Sequence, residues 1–469
     1  MKKIINRICL IICLITISIS LFIIRSQSYT EKRIPDLTDE KITSKIDSVF
    51  YENCQKIDVS RKANATIVML CRNSEIDKVI QSMKSLEGHF NQWFNYPWTF
   101  LNDEPFSENF KQQVSKHTNA KIEFGLIPKE QWDFPNYLSK EELDENFQYQ
   151  SDRTILYSNL ESYHKMCRYY SGAFFKHPLI SKYKWYWRVE PNVKFHCDLT
   201  YDPFIEMEEK NKKYGFNIIL SELYYTTPNL FRQVRKYIQI KKIQVKDTWK
   251  LLTFNSKWTT SDTKYLDKPE KDEILREIQD QIYIKKFLEL KEKPKETEMI
   301  DQIIRRSKEM PYLHEDRINL QDFNLCHFWS NFEIARVDLF SDNEYQDFFN
   351  FLDESGGFYK ERWGDAPIHS LYVGMKLNLN ELHYFRDIGY QHDIFSHCPR
   401  DSVVGCNCNC PNWPEPEIEL SKCMSYWVKY TSDDYKDKPV IDVEYWENKL
   451  TKKIEKHLRE GGKYGQNLI

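Results

Sequence analysis

The sequence predicts an α/β fold in which a parallel or mixed sheet is covered by helices. Two observations carry this reading. Thr66 to Cys71 is a short apolar run of strand length, and Ile76, Val79, Ile80, Met83 and Leu86 then follow at helical spacing. Strand-like runs at Trp98 to Leu101 and Ile122 to Leu126 continue the alternation, and β-α-β order sets strands side by side with helices on their faces. The 469 residues are 41% hydrophobic and 15% aromatic, enough for a large core and contrary to global disorder.

The elements follow in order. Asn73 or Ser74 can cap the first helix. A helix is expected over Leu156 to Phe175, then a strand over Tyr183 to Val189 that ends at Pro191. Alternation puts Tyr183, Trp185, Trp187 and Val189 on one face and Tyr186, Arg188 and Glu190 on the other. A further strand is expected over Phe216 to Leu220. Residues from about 232 to 310 are rich in Lys and Glu and read as an exposed, charged helical insertion. A helix near Asn343 to Glu354 ends at Gly356-Gly357, and Asp365 can cap another that begins near Pro367.

At the N-terminus, Lys2, Lys3 and Arg7 precede an apolar run from Ile8 to Ile24 of roughly 17 residues, at the short end for a membrane span. The basic flank predicts a cytoplasmic N-terminus. A cleaved signal peptide is the alternative, but Ile and Leu fill the run and no small-residue cleavage site follows. The expected organisation is a tail (1–7), a signal-anchor (8–24), a stem (25–60) and a luminal body (61–469). An oxidising compartment makes disulfides the expected state of the cysteines after the span. The Cys406, Cys408, Cys410 cluster is too tightly spaced for the usual zinc pattern, so disulfides are expected there too. Asn64-Ala65-Thr66 is an N-glycosylation sequon. A net charge of −3 gives no electrostatic footprint for nucleic acid.

Several segments carry chemistry-bearing residues. Glu190 lies at the carboxyl end of a predicted strand, where open α/β sheets place ligand-binding groups, and could hold a divalent cation or be a turn carboxylate. In Cys326-His327-Phe328-Trp329-Ser330-Asn331-Phe332-Glu333, a carboxylate among aromatics is either a nucleophile or stabiliser of an oxocarbenium-like centre, or a salt-bridged packed group. Asp365 is an N-cap or a site residue. His392 is structural or a metal ligand. Arg72 directly follows the first strand, where a guanidinium can meet phosphate or a base edge. Tyr163 is a core aromatic or a site residue. P-loop, dinucleotide-binding, G-x-S-x-G and H-E-x-x-H motifs are absent, which disfavours those enzyme classes.

Together these segments resemble the fungal Golgi α-1,2-mannosyltransferases of glycosyltransferase family 15. The resemblance runs through Leu70-Cys71-Arg72-Asn73-Ser74-Glu75, Ser162 to Gly172, Tyr186-Trp187-Arg188-Val189-Glu190-Pro191 and Cys326 to Glu333. It continues through Gly356-Gly357-Phe358-Tyr359, Glu361 to Ser370 and Gly389-Tyr390-Gln391-His392. It departs at Asp393, where the family pattern has proline. The resemblance implies a GT-A-type nucleotide-sugar transferase fold with a central mixed sheet, GDP-mannose as donor, Mn²⁺ as cofactor and retention of the α configuration. It implies mannosylated glycoproteins as acceptors and a single-pass type II position in the Golgi membrane. By resemblance, Glu190 and His392 hold the metal, Arg72 and Tyr163 contact the donor, and Tyr163 lies in the active site. Glu333 is then the candidate nucleophile, and Arg188 with Asp365 recognises the acceptor. A mannosylphosphate transferase and a silent glycan-binding scaffold on the same fold are the competing readings.

Overall fold

The computed structural model describes residues 46–50, 54, 57, 59–135, 138–255, a few positions between 275 and 286, 321–399, 404–411, 422–431, 443–461 and 468. The expected anchor over residues 8–24 lies outside them. Among the described residues, no helix is long and apolar enough to cross a membrane.

The body is built on a seven-stranded mixed sheet. Its strands are β1 (Ala65–Leu70), β2 (Trp98–Asn102), β3 (Ile122–Leu126), β4 (Trp185–Val189), β6 (Tyr214–Phe216), β11 (Phe332–Arg336) and β12 (Leu382–Tyr384), in the order β12-β6-β11-β4-β1-β2-β3. β3, β2, β1 and β4 run parallel, whereas β11 is antiparallel to both β4 and β6. The parallel strands are apolar on both faces, as helix-covered strands must be: Ile67, Val68, Met69, Trp98 and Phe100 are fully enclosed.

On β4 the alternation read from sequence holds. Trp187 packs against Phe90, Phe195 and Phe332 on one face, and each such buried aromatic contributes about 1.5–3 kcal/mol. Tyr186 and Arg188 face the other side, beneath helices α2 (Glu161–Gly172) and α5 (Asp365–Lys376).

A second, three-stranded sheet is made by β5 (Val193–Phe195), β13 (Tyr390–His392) and β14 (Phe395–His397). Helix α1 (Ile76–Leu86) fixes it from below, because Ser82 and Ser85 accept the backbone N–H groups of Val193 and Phe195 at 2.9 and 2.8 Å. Two small pairings complete the body: β7 (Ile219–Ser221) with β10 (Cys326–Phe328), and β8 (Thr253–Asn255) with β9 (Gln321–Phe323).

Four expectations need correction. The strand placed at Phe216 to Leu220 is two strands, β6 and β7, in different sheets. The helix expected from Leu156 begins only at Glu161, and Tyr157 instead adopts φ 61°. The charged insertion begins later than residue 232. Helix α3 (Leu230–Lys241) buries Val234, Tyr237 and Ile238 against α4 (Asn343–Glu354), and residues from 256 to 320 lie almost wholly outside the described ones. The stem boundary near residue 60 also falls too late. Asp47 is buried and accepts from His383 Nδ1 and Tyr384 N, with Lys212 Nζ 2.8 Å away, and Phe50 stacks on His383.

Among the described residues, four disulfides join Cys54–Cys406, Cys197–Cys408, Cys326–Cys423 and Cys398–Cys410, as expected for the Cys406–Cys410 run, whereas Cys71 and Cys167 are buried free thiols and not the expected disulfides. Gly389 sits between two of them: a Cβ there would stand 2.9 Å from both Cys197 Sγ and Cys398 Sγ.

Burial pushes the Asp47 carboxyl up, but His383 and Lys212 outweigh it and hold the group below its ordinary value. Its contribution is present above the unfolded value of about 3.9 and is lost as pH falls through the folded one. Asp47→Ala leaves Lys212 buried without its partner and is expected to cost about 3–5 kcal/mol in urea unfolding near neutral pH. A loss within the noise would show that residues 46–50 are not part of the body.

Candidate active site

The carboxyl ends of β1 and β4 lie together, since the two strands are parallel and Val68 sits level with Arg188. Arg72 and Glu190 extend from this edge. Arg72 is exposed, its backbone N–H is held by Glu75 Oε2 at 2.9 Å, and its guanidinium makes no ion pair among the described residues. Asn73 joins the β1 loop to the loop after β2, donating to Pro105 O and accepting from Ser107 N. The edge is therefore braced, with an exposed cation beside it.

Arg188 is the hub. Its Nε donates to Glu190 Oε1 at 2.7 Å, its Nη1 donates to Asp365 Oδ2, and its guanidinium lies 3.4 Å from the centre of the Tyr170 ring. Burial opposes the charge, yet Asp365 and Glu190 hold the guanidinium well above its ordinary value. Burial raises the Asp365 carboxyl, but Arg188 and His369 bring it below the ordinary range. Ser330 Oγ also donates to Asp365 Oδ2, at 2.7 Å. Asp365 is not a cap: Gly364 holds the N-cap position, and Asp365 turns inward from the first helical turn. Arg188 and Asp365 thus hold one another and frame the site, while Asp365 Oδ1 accepts no hydrogen bond from a described residue.

Glu333 lies opposite Arg188 on β11 and is wholly enclosed. Its Oε1 accepts from Tyr186 OH at 2.5 Å, and its Oε2 accepts from Tyr214 OH at 2.8 Å and from His369 Nδ1 at 3.1 Å. Burial pushes this carboxyl up, but His369, Tyr186 and Arg188 bring it below its ordinary value. Both oxygens accept hydrogen bonds, and Glu333 lies enclosed beside Arg188, where it ties β4, β6 and α5 together.

Glu190 is mostly buried, and its second oxygen has no hydrogen bond among the described residues. His392 is brought to the same edge by the β5–β13 pairing, which sets it opposite Val193, three residues after Glu190. Trp329 stacks on its ring. The side-chain amide of Asn331 bonds to His392 Nδ1. As placed, the amide nitrogen faces Nδ1; an ion on Nε2 requires this amide rotated by 180°, so that its oxygen accepts from Nδ1–H and Nε2 keeps its lone pair. Asp393, at the departure from the family pattern, takes φ 50° in the two-residue turn to β14, a conformation that proline cannot adopt. A carboxylate oxygen and an imidazole nitrogen are a donor set suited to a divalent ion of intermediate hardness.

Tyr163 lies on α2 and accepts from Arg362 Nη1 at 3.1 Å. Burial, with Cys167 and Asp365 nearby, pushes its hydroxyl well above the ordinary value, so it stays protonated as a donor. Asn331, Ser330 and Tyr170 were not singled out from sequence, although the first two stand inside the motif that ends at Glu333. A separate open cavity of about 590 Å³, lined by Lys129, Asp133, Arg168 and Asp353 among others, shares no residue with this site.

The family described as glycolipid 2-alpha-mannosyltransferase matches residues 24–266 and 270–432. The chain belongs to this family. It is 44% identical over 396 residues to the probable mannosyltransferase KTR7 of Saccharomyces cerevisiae, covering 78% of this chain and 76% of that one. It is 42% identical to the O-glycoside alpha-1,2-mannosyltransferase homolog 5 of Schizosaccharomyces pombe, covering 82% and 84%. Among solved structures, core-mannan synthase A of Aspergillus fumigatus in its Mn/GDP form superposes with TM-score 0.63 at 32% identity, covering 81% of this chain and 88% of that one. The mannosyltransferase Ktr4p of S. cerevisiae in complex with GDP gives TM-score 0.62 at 30% identity, covering 85% and 90%. The chain is accordingly a glycosyltransferase of the mannosyltransferase group, on a mixed α/β fold.

Asn331→Leu is expected to weaken Mn²⁺ binding by about 10–100-fold, as losses of a ligand's supporting hydrogen bond do. Titration followed by electron paramagnetic resonance reads this without turnover. Unchanged affinity would remove His392 from the ligand set.

Proposed function

We propose that the chain transfers mannose from GDP-mannose, with Mn²⁺, to the 2-hydroxyl of terminal mannose on N- or O-linked glycans, retaining the α configuration. In this reading a basic-flanked anchor at the N-terminus holds it in the Golgi membrane with the body in the lumen. The observation that carries the reaction is the Glu190–Arg188–Asp365 chain at the carboxyl edge of the sheet, beside His392 and Arg72.

Glu190 and His392 would hold the ion, which neutralises the departing diphosphate. Arg72, exposed at the end of β1, meets the nucleotide portion of the donor. Arg188 holds Glu190 aimed along the strand through the Nε–Oε1 bond, while Asp365 fixes Arg188 from the other side. Tyr163 donates from a hydroxyl that remains protonated. The enclosure of Glu333 favours same-face attack over a covalent intermediate: an acceptor hydroxyl attacks the anomeric carbon on the side from which the diphosphate leaves, passing its proton to the departing phosphate oxygen.

The test is transfer of radiolabelled mannose from GDP-mannose to methyl α-mannoside and α-mannobiose, with Mn²⁺ and with chelator. The expected product is neutral, depends on Mn²⁺ and is cleaved by an α-1,2-mannosidase. A charged product would instead mark mannosylphosphate transfer. GDP binding by folded protein without any transfer would mark a silent scaffold. Glu190→Gln is expected to lower both activity and Mn²⁺ affinity by about 100-fold or more.

Retention by same-face attack gives a second expectation. Protein quenched during turnover should carry no hexose-mass adduct on the peptide containing Glu333, by mass spectrometry. An adduct there would restore the covalent route.

A further inference from the structure

The polar contacts do not stop at Asp365. Gly364, the residue before it, lies beside Glu222: a Cβ at Gly364 would stand 4.0 Å from Glu222 Oε2. Glu222 Oε1 accepts from Leu223 N at 2.8 Å and Thr226 Oγ1 at 3.0 Å, and lies 3.6 Å from Arg362 Nη2. Its Oε2 has no hydrogen bond among the described residues. Arg362 is 6% exposed. Its Nη1 is bonded to Tyr163 OH, but its Nε has no hydrogen-bond partner among the described residues. The half-satisfied Glu222 carboxylate, held by the buried Arg362, is left with a free oxygen for a ligand hydroxyl.

The neighbouring surface is aromatic. The Tyr157 ring lies 5.0 Å from that of Tyr163 and is about half exposed. Its backbone sits at φ 61°, a left-handed conformation that is unfavourable for a bulky residue and that clusters at ligand sites. Leu223 and Tyr225, next to Glu222 in the chain, are exposed as well.

We propose that Glu222, Arg362 and Tyr157 form a subsite for a sugar of the acceptor glycan other than the one that receives mannose. This rests on the mannosyltransferase reading and extends it. Glu222 Oε2 accepts from a sugar hydroxyl, Arg362 lies behind it with Nη2 3.6 Å from Glu222 Oε1 and positions the carboxylate, and the ring of Tyr157 covers the C–H face. Carboxylate and guanidinium cancel in charge, so the ligand class is a neutral hexose with adjacent hydroxyls, not a phosphorylated or acidic sugar. The subsite adjoins Asp365 through Gly364, so its occupant is continuous with a sugar held at the Arg188–Asp365 frame.

The test uses the full chain with GDP-mannose and Mn²⁺, comparing methyl α-mannoside with α-mannotriose as acceptors. Glu222→Gln and Tyr157→Ala should each lower kcat/KM for the trisaccharide, through KM, by about tenfold more than for the monosaccharide, while the KM for GDP-mannose holds. Arg362→Lys should act in the same direction, and thermal unfolding reports whether each variant folds. Tyr157→Ala removes an exposed ring, so it keeps the comparison available if a buried variant fails to fold. Equal losses on the two acceptors overturn the subsite. Transfer to neither acceptor by the wild-type chain overturns the mannosyltransferase reading along with it.

Discussion

The site depends on one buried guanidinium. Arg188 sits where burial disfavours its charge, and it is retained there because Glu190, Asp365 and the face of Tyr170 surround it. Each of these comes from a different element: the end of β4, the first turn of α5 and the body of α2. A buried ion pair of this kind is weak evidence for added stability, because desolvation opposes the Coulombic gain. Its value here is geometric. Removing the positive charge would leave two carboxylates facing each other with nothing between them, and the elements that carry them would lose their common reference.

Beneath that hub, Glu333 does the same for the sheet. It collects Tyr186 from β4, Tyr214 from β6 and His369 from α5, and so joins three elements through a single carboxylate. The hub and the anchor occupy one face of β4, while the opposite face is filled by Trp187 and its aromatic neighbours. The division follows from strand alternation alone, which turns a sequence of five residues into an ionised floor on one side and a dry core on the other.

Much of this was legible in the sequence. The period of two across Tyr183 to Glu190 put Arg188 and Glu190 on one face, and the apolar run before Arg72 placed that residue at a strand end. What could not be read was the state of each group. Glu333 among aromatics was compatible with a nucleophile or with a packed anchor, and only its antiparallel pairing beside both Arg188 and Phe216 shows that it is enclosed. Asp365 preceded a helix and looked like a cap, but partners distant in sequence turned it inward. The boundaries at residues 60 and 232 were misjudged for a common reason: polar composition marks solvated faces, yet Asp47 and α3 bury one side or one group within polar surroundings. Tertiary partners decided each case.

The disulfides add a property of a different kind. Cys54–Cys406 and Cys197–Cys408 each join a point before residue 256 to a point after residue 320, and the main sheet likewise interleaves β11 between β4 and β6. A single backbone cut anywhere between those two positions would divide the chain without dividing the molecule. The two fragments would stay covalently joined, with Glu190 on one and His392 on the other. Continuity of the polypeptide through residues 256–320 is therefore not what holds the two halves of the site in register once the cysteines have paired.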